Sequence, residues 1–370
     1  MGMKSPLSYF SELRDPRVER TREHLLEEIL LMALAAVLSG AGSWNEIEGY
    51  SKAKLLWLKS FLKLPSGIPS HDTFNRVISA LDPAELEKGF AAWVGSIAKL
   101  TAGEVVAIDG KALCGTREAG KATLVHMVSA WASANNLVLA QRRVKEKSNE
   151  ITAIPKLLDA LALSGTVVTL DAMGCQKSIA EKIVAKEADY ILAVKENQGH
   201  LLEEIKDSFQ MLPADAVAEE IDCERGRVER RRCSVIADLS LLEKAVEKAV
   251  EWPSLQGLVR IEAERYHKAT GRTERETRFY ITSLKPQAER LNRAIRQHWS
   301  IENKLHWALD VSFGEDLDRK RVGNAAQNFS LLNRIALNLL QQDKTTKLGI
   351  KGKRLKAGWD NDYLLQILGN

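Results

Sequence analysis

The sequence predicts an α/β protein: a mixed sheet flanked by helices, with a β-rich insertion and an all-helical N-terminal domain. Three observations predict it. Apolar residues recur at helical spacing through about residue 100, the period shortens to that of strands after Gly103, and strand-like and helical runs alternate from Glu150 onward.

Leu25, Leu26, Ile29, Leu30, Met32, Ala33, Ala36 and Val37 mark the first long helix, which stops at the turn cluster Ser39-Gly40-Ala41-Gly42-Ser43. The pattern resumes at Trp44 and again from Lys54 until Pro65-Ser66-Gly67 breaks it. Ser70 or Asp72 then caps a helix through Leu81, either a recognition helix exposing Asn75 and Arg76 or one that packs on the rest. Residues 104–109, 124–131 and 137–144 read as a three-strand meander. Helix 150–161 leads into strand 166–171, and helix 177–186 into strand 190–195. Hairpins around Gly226 and Gly271 flank a Lys/Glu-rich helix near 240–250, a stretch that reads as an insertion apart from the sheet. From Pro286 the pattern is helical, and the chain closes on Lys344, Lys347, Lys351, Lys353, Arg354 and Lys356. The expected division is a helical accessory or DNA-binding domain over 1–100, an α/β domain over 101–342 with the insertion at about 215–285, and a basic tail over 343–370.

At 370 residues, 45% hydrophobic and 28% charged, the composition is that of a folded globular protein. The excess of 53 Lys and Arg over 49 Asp and Glu, with a pI near 8.7, is too small to establish a nucleic-acid partner; its clustering is what matters. The longest apolar run, from Ile29 to Leu38, is too short to span a bilayer, and no export signal pattern opens the chain. Cys114, Cys175, Cys223 and Cys233 are scattered without ligand spacing, which points to reduced thiols and disfavours zinc. Cys175 reads as a small buried hydrophobe, since no base has a spacing that would make it a nucleophile. The expectation is a cytoplasmic protein with no membrane partner.

Three carboxylates stand out. Asp109 ends the apolar run Val105-Val106-Ala107-Ile108, and Asp171 ends Val167-Val168-Thr169-Leu170 in the same way. Aspartate is also an ordinary turn former, but two of them at strand ends of an α/β sheet lie where ligand sites form. Projected at about 100° per residue, Glu302 falls in the middle of the apolar stripe of Leu291, Ile295, Leu305 and Leu309. A carboxylate on a buried face must be paired, here with His298 or His306 one turn away, or bound to a cation. Should the three acids converge, each pair about 4 Å apart repels by about 4 kcal/mol at an effective dielectric of 20. Oxygen ligands select hard ions, and two Mg²⁺, with Mn²⁺ as substitute, would clamp both oxygens of an in-line phosphoryl displacement.

These residues lie in Ala107-Ile-Asp-Gly-Lys-Ala-Leu113, Thr169-Leu-Asp-Ala-Met-Gly-Cys-Gln176 and His298-Trp-Ser-Ile-Glu-Asn-Lys-Leu-His-Trp-Ala-Leu-Asp-Val311. Together with Ile47-Glu48-Gly-Tyr50, Gly67-Ile-Pro-Ser-His-Asp-Thr-Phe74, Asn324-Ala325 and Ala336-Leu-Asn-Leu-Leu340, they resemble the H-repeat-associated bacterial insertion-sequence transposases. That family lies within the DDE group, which is built on a ribonuclease-H-like fold. The resemblance implies that Asp109, Asp171 and Glu302 are the catalytic, metal-holding triad. It further implies cleavage at transposon ends, strand transfer to target DNA, a homodimer on double-stranded DNA carrying the terminal inverted repeats, and no organic cofactor. Ile295, His298 and Leu309 stand where the wider group carries Tyr, Arg and Lys around the glutamate, which moves phosphate contacts to Lys304, Arg319 or Arg321.

Basic clusters supply further DNA candidates: Arg142, Arg143, Lys145 and Lys147; Arg225, Arg227, Arg230, Arg231 and Arg232; and Arg319, Lys320 and Arg321. Lys111, Lys195 and Asn197 lie on the presumed ligand edge, and Trp307 projects onto the polar face. Two other readings stay open, an inactive descendant that keeps DNA binding and a Mg²⁺-dependent nuclease that cuts without joining.

Overall fold

In the computed structural model the residues described are 5–116, 124–144, 149–224, 226–239 and 252–369. Lys145, Lys147, Arg225 and the helix expected near 240–250 lie outside them. Strands β1 (Val105–Leu113), β2 (Val125–Ala132) and β3 (Leu137–Arg143) form the antiparallel meander. Helix α6 (Glu150–Asp159) then crosses to β4 (Val167–Leu170), and α7 (Lys177–Ala185) to β5 (Asp189–Val194). Both crossovers return the chain parallel, β4 beside β1 and β5 beside β4. All four β4 residues are buried, as a central strand covered on both faces requires. This half is the ribonuclease-H-like arrangement.

The expected insertion is not apart from the sheet. After helix α8 (Gly199–Met211), strands β6 (Ala216–Glu224), β7 (Arg227–Ile236), β8 (Gly257–His267) and β9 (Arg272–Thr282) complete one nine-stranded sheet of order β3-β2-β1-β4-β5-β9-β8-β7-β6. Its seam is β9 on β5, from Ile191↔Thr282 to Val194↔Phe279. The buried end of β9, Tyr280-Ile281-Thr282, thereby covers a strand edge that β5 would otherwise present to solvent. The far ends of these strands carry cross-strand Arg–Glu pairs, among them Arg230–Glu219 and Arg275–Glu264.

The N-terminal helices are α1 (Leu26–Leu38), α2 (Trp44–Ala53), α3 (Leu55–Leu58), α4 (His71–Ala80) and α5 (Pro83–Ile97). Every residue of α1 from Ile29 to Leu38 is buried, so it is a core helix rather than a surface one. It is buried by the C-terminal part of the chain, where α11 (Ala325–Gln342) packs on α1, α4, α5 and β3. Asn338 of α11 completes both backbone groups of Val138, covering the sheet at that edge.

The segment expected as a basic tail is instead two packed helices, α12 (Ile350–Trp359) and α13 (Asn361–Leu368). Lys353 donates to the carbonyls of Leu340 and Asp343, and Arg354 to that of Val37. Those carbonyls belong to the last turns of α11 and α1, where unpaired oxygens and the helix dipole favour cations. These two basic side chains are spent inside the fold, whereas Lys344, Lys347 and Lys351 stay exposed.

Candidate active site

Between β9 and α11 the chain runs through α9 (Ala288–His298), a wide π-turn (Ile301–His306) and α10 (Trp307–Phe313). This stretch lies across the sheet where β4 stops. Ile108↔Leu170 is the last β1–β4 pair, so Asp109 and Asp171 emerge side by side just beyond it. Asp109 is nevertheless not at a strand end, because β1 continues to Leu113 along β2, with Asp109 opposite Ser129. Asp171 caps the short turn after β4, Oδ1 accepting from Gly174 N at 3.3 Å.

Glu302 corrects the helical projection. The π-turn interrupts a uniform rotation per residue, and the Glu302 side chain is 51% exposed rather than buried among Leu291 and Leu305. Its partners are those of an open site. His306 Nδ1 lies 3.7 Å from Glu302 Oε2 and 3.6 Å from Asp109 Oδ2. One ligand atom from each of Asp109, Glu302 and His306 falls within 4.8 Å of the others. Asp171 stands outside that trio, although its charge acts on Asp109.

The electrostatics follow from crowding. Burial, reinforced by the Glu302 and Asp171 carboxylates, pushes Asp109 up to about 8. His306 beside Glu302 holds that carboxyl below its usual range. Glu150, at the start of α6, joins them: burial and then Asp171 raise its pKa. Gly110 makes the room, since a Cβ there would stand 1.9 Å from Glu150 Oε1. Donors about 2.1 Å from a hard cation sit about 3–4 Å from one another, so the 3.6 and 3.7 Å spacings fit an ion between carboxylates and imidazole. A dication would also relieve the repulsion that holds a proton on Asp109.

The expected DNA contacts divide. Lys111 is buried and salt-bridged to Asp310 at 2.5 Å, so it presents no charge to solvent. Arg142 is taken by Glu87 at 2.8 Å and Arg230 by Glu219 at 2.6 Å. Arg231 is buried and donates to Asn292. Asn197 donates to the Ala172 carbonyl at 2.7 Å, bracing the turn that follows Asp171 rather than reaching outward. Arg143 is half-buried at the end of β3. The exposed set is Lys195, Arg230, Lys304, Arg319 and Arg321, of which Arg230 is paired with Glu219, Lys304 donates to Asn136 and Arg321 donates to the Gly115 carbonyl. Beside Asp171 a pocket of about 90 Å³ opens against Lys195, Arg278, Tyr280, His298 and Trp299. Burial drives His298 down to about 4, so it is neutral and supplies no phosphate-binding charge.

His306 was visible in the sequence only as a pairing partner for Glu302, four residues on; nothing in the sequence marked Glu150. Cys175 is buried and burial pushes its thiol up to about 12, in keeping with an inert side chain. Trp307 is exposed, as its projection implied.

Carboxylates from a strand pair and a helical segment, gathered on a ribonuclease-H-like sheet, define the DDE class. The model of the "Transposase DDE domain" matches residues 101–339, and that described as "DDE_Tnp_1-associated" matches residues 7–94. The chain belongs to this DDE transposase family. It is 39% identical to "Putative transposase YncI" of Escherichia coli O157:H7, over 100% of this chain and 96% of that one. It is 38% identical to "H repeat-associated putative transposase YhhI" of Escherichia coli K12, over 100% and 98%. The piggyBac transposase synaptic complex with hairpin DNA aligns with a TM-score of 0.45 at 11% identity, over 99% of this chain and 77% of that one. Family membership implies the use of divalent metal. Among the described residues, no helix is long and apolar enough to cross a membrane.

Proposed function

We propose that this protein cuts DNA at insertion-sequence ends and joins the freed 3′ hydroxyl to target DNA, with Asp109, Asp171 and Glu302 holding Mg²⁺ or Mn²⁺. The observation that carries this reading is the meeting of Asp109 and Glu302, far apart in sequence, with His306 inside 4.8 Å and Asp171 adjacent. Two bound cations supply Lewis-acid activation of the attacking oxygen and charge stabilisation at the departing one.

The protein's own groups prepare that site. Asp109 holds a proton near neutral pH because its pKa is raised, and gives it up when positive charge offsets the neighbouring carboxylates. Asp171 is steadied by Gly174 N and by the Asn197 brace on Ala172. His306, between Asp109 and Glu302, orients both carboxylates toward one centre. Lys195, Lys304, Arg319 and Arg321 take DNA phosphates along the exposed rim, a contact that is salt-dependent and blind to sequence. A homodimer would hold two element ends together, and the protein works in the cytoplasm, on the nucleoid when bound.

The test uses purified protein, DNA carrying the flanking inverted repeats, and a target plasmid. Wild type yields nicked ends and joined products in Mg²⁺ or Mn²⁺. Asp109→Asn and Glu302→Gln yield neither while binding DNA within about threefold of wild type. Cutting without joining would reassign the protein as a nuclease. Binding without cutting in either metal would make it an inactive descendant, and full activity in Glu302→Gln would remove the site.

A further inference from the structure

Two residues beyond Asp109 on β1, and on the same side of the strand, stands Lys111. Four residues beyond His306, one helical turn on, stands Asp310 of α10. Lys111 Nζ donates to Asp310 Oδ1 at 2.5 Å and Oδ2 at 2.6 Å, and lies 3.2 Å from Asp316 Oδ1. Strand and helix are therefore joined by two adjacent rungs. One is this ion pair; the other is Asp109 facing His306 at 3.6 Å, with Glu302 3.7 Å from the same imidazole nitrogen.

The rungs differ in sign. The carboxylates of the active-site rung repel, and Glu302 is carried on a π-turn that departs from the α-helix. The Lys111–Asp310 rung is bidentate and its lysine is 9% exposed. Behind it, Glu315 pairs with the fully buried Arg334 of α11, whose Nε donates to Ser129, the residue opposite Asp109 on β2. A buried ion pair is a poor way to gain stability, because desolvation consumes most of its attraction. What it does supply is a fixed separation.

We infer that Lys111 and Asp310 are positioning residues, a clamp that fixes how far Glu302 and His306 stand from Asp109 and so sets the cation affinity of the site. The inference rests on the proposed function in taking that site to bind a divalent cation. It adds that Lys111, a basic residue beside the site, acts on Asp310 and not on DNA.

The experiment measures Mn²⁺ affinity by calorimetry, thermal unfolding, and hydrogen exchange of residues 301–310 in the metal-free full-length protein. It compares wild type with Asp310→Asn, Lys111→Met, the apolar pair Lys111→Met/Asp310→Leu and the swapped pair Lys111→Asp/Asp310→Lys. Asp310→Asn should weaken Mn²⁺ binding by about tenfold or more, the usual effect of removing a group that orients ligands. The apolar pair should unfold within a few degrees of wild type yet bind Mn²⁺ as weakly, with faster exchange across 301–310. The swapped pair should recover affinity to within about threefold.

Should Lys111→Met fail to fold, Asp310→Asn and the two pairs still decide. The clamp is refuted if the apolar pair binds Mn²⁺ within twofold of wild type and exchanges at the same rate. A wild type that binds no divalent cation would instead end the proposed function, while the exchange of 301–310 would still decide whether the clamp holds the segment.

Discussion

Replacing Asp109 by Asn removes the carboxyl whose ionisation the metal-free site resists. In the folded protein that group titrates near 8, against 3.8 for an ordinary aspartate. Between those values the folded state holds a proton that the unfolded state has lost, so stability contributed below about pH 4 drains away as pH rises toward 8. About four units at about 1.4 kcal/mol each set a ceiling near 6 kcal/mol. Screening at an effective dielectric near 20 and side-chain relaxation reduce this to about 3 kcal/mol. For a chain of 370 residues, with unfolding entropy of about 2 cal/mol/K per residue, that is about 4 °C in Tm. Melting in EDTA at about pH 5 and about pH 9 is the assay. The variant should melt within about 1 °C of wild type at the lower pH and about 4 °C above it at the higher. Adding Mg²⁺ should stabilise wild type and leave the variant unmoved. A variant that melts below wild type at about pH 9, or that keeps the wild-type pH dependence, would refute the reasoning.

Mn²⁺ affinity of wild type should rise with pH up to about 8 as Asp109 gives up its proton, and calorimetry in buffers of different ionisation enthalpy should detect that release. A flat profile would contradict it. His306→Ala should weaken Mn²⁺ binding about 10- to 100-fold while DNA binding is retained, and unchanged affinity would exclude the imidazole from the site. Gly115→Ala should destabilise by about 3 kcal/mol or more by chemical denaturation, since its Cβ would meet the Asp318 carbonyl oxygen at 2.2 Å, and a neutral result would show that loop to be free to move. Arg334→Met should cost about 3–5 kcal/mol by the same measurement, because Glu315 would be left as an unpaired buried charge.

The sheet around the site was legible because its strands obey local rules. Val105 to Ile108 and Val167 to Leu170 are apolar runs that suit a doubly covered strand, and the crossover through α6 returns the second parallel to the first. The joining of β9 to β5 was not legible, since strand pairing between segments so far apart leaves no mark on the period of either. The C-terminal basic residues misled for a related reason. A lysine aimed at carbonyls in the interior and a lysine in solvent look alike in sequence, and Lys353 is the former. Glu302 was found by a projection whose premise fails, because a π-turn rotates the chain differently from an α-helix. Its neighbours Asp109 and His306 come within reach because that turn widens, not because the glutamate is buried. Among the basic residues, clustering could not tell the buried Arg231, which donates to Asn292, from the exposed Lys195.

The central claim is that Asp109, Glu302 and His306, with Asp171 beside them, gather around divalent metal. Anomalous diffraction from crystals of the protein soaked in Mn²⁺ tests it most directly. The account predicts a Mn²⁺ peak between Asp109 and Glu302, within bonding distance of His306, and its loss in Glu302→Gln. Mn²⁺ bound elsewhere, with these side chains unmoved and still bridged only to one another, would contradict it.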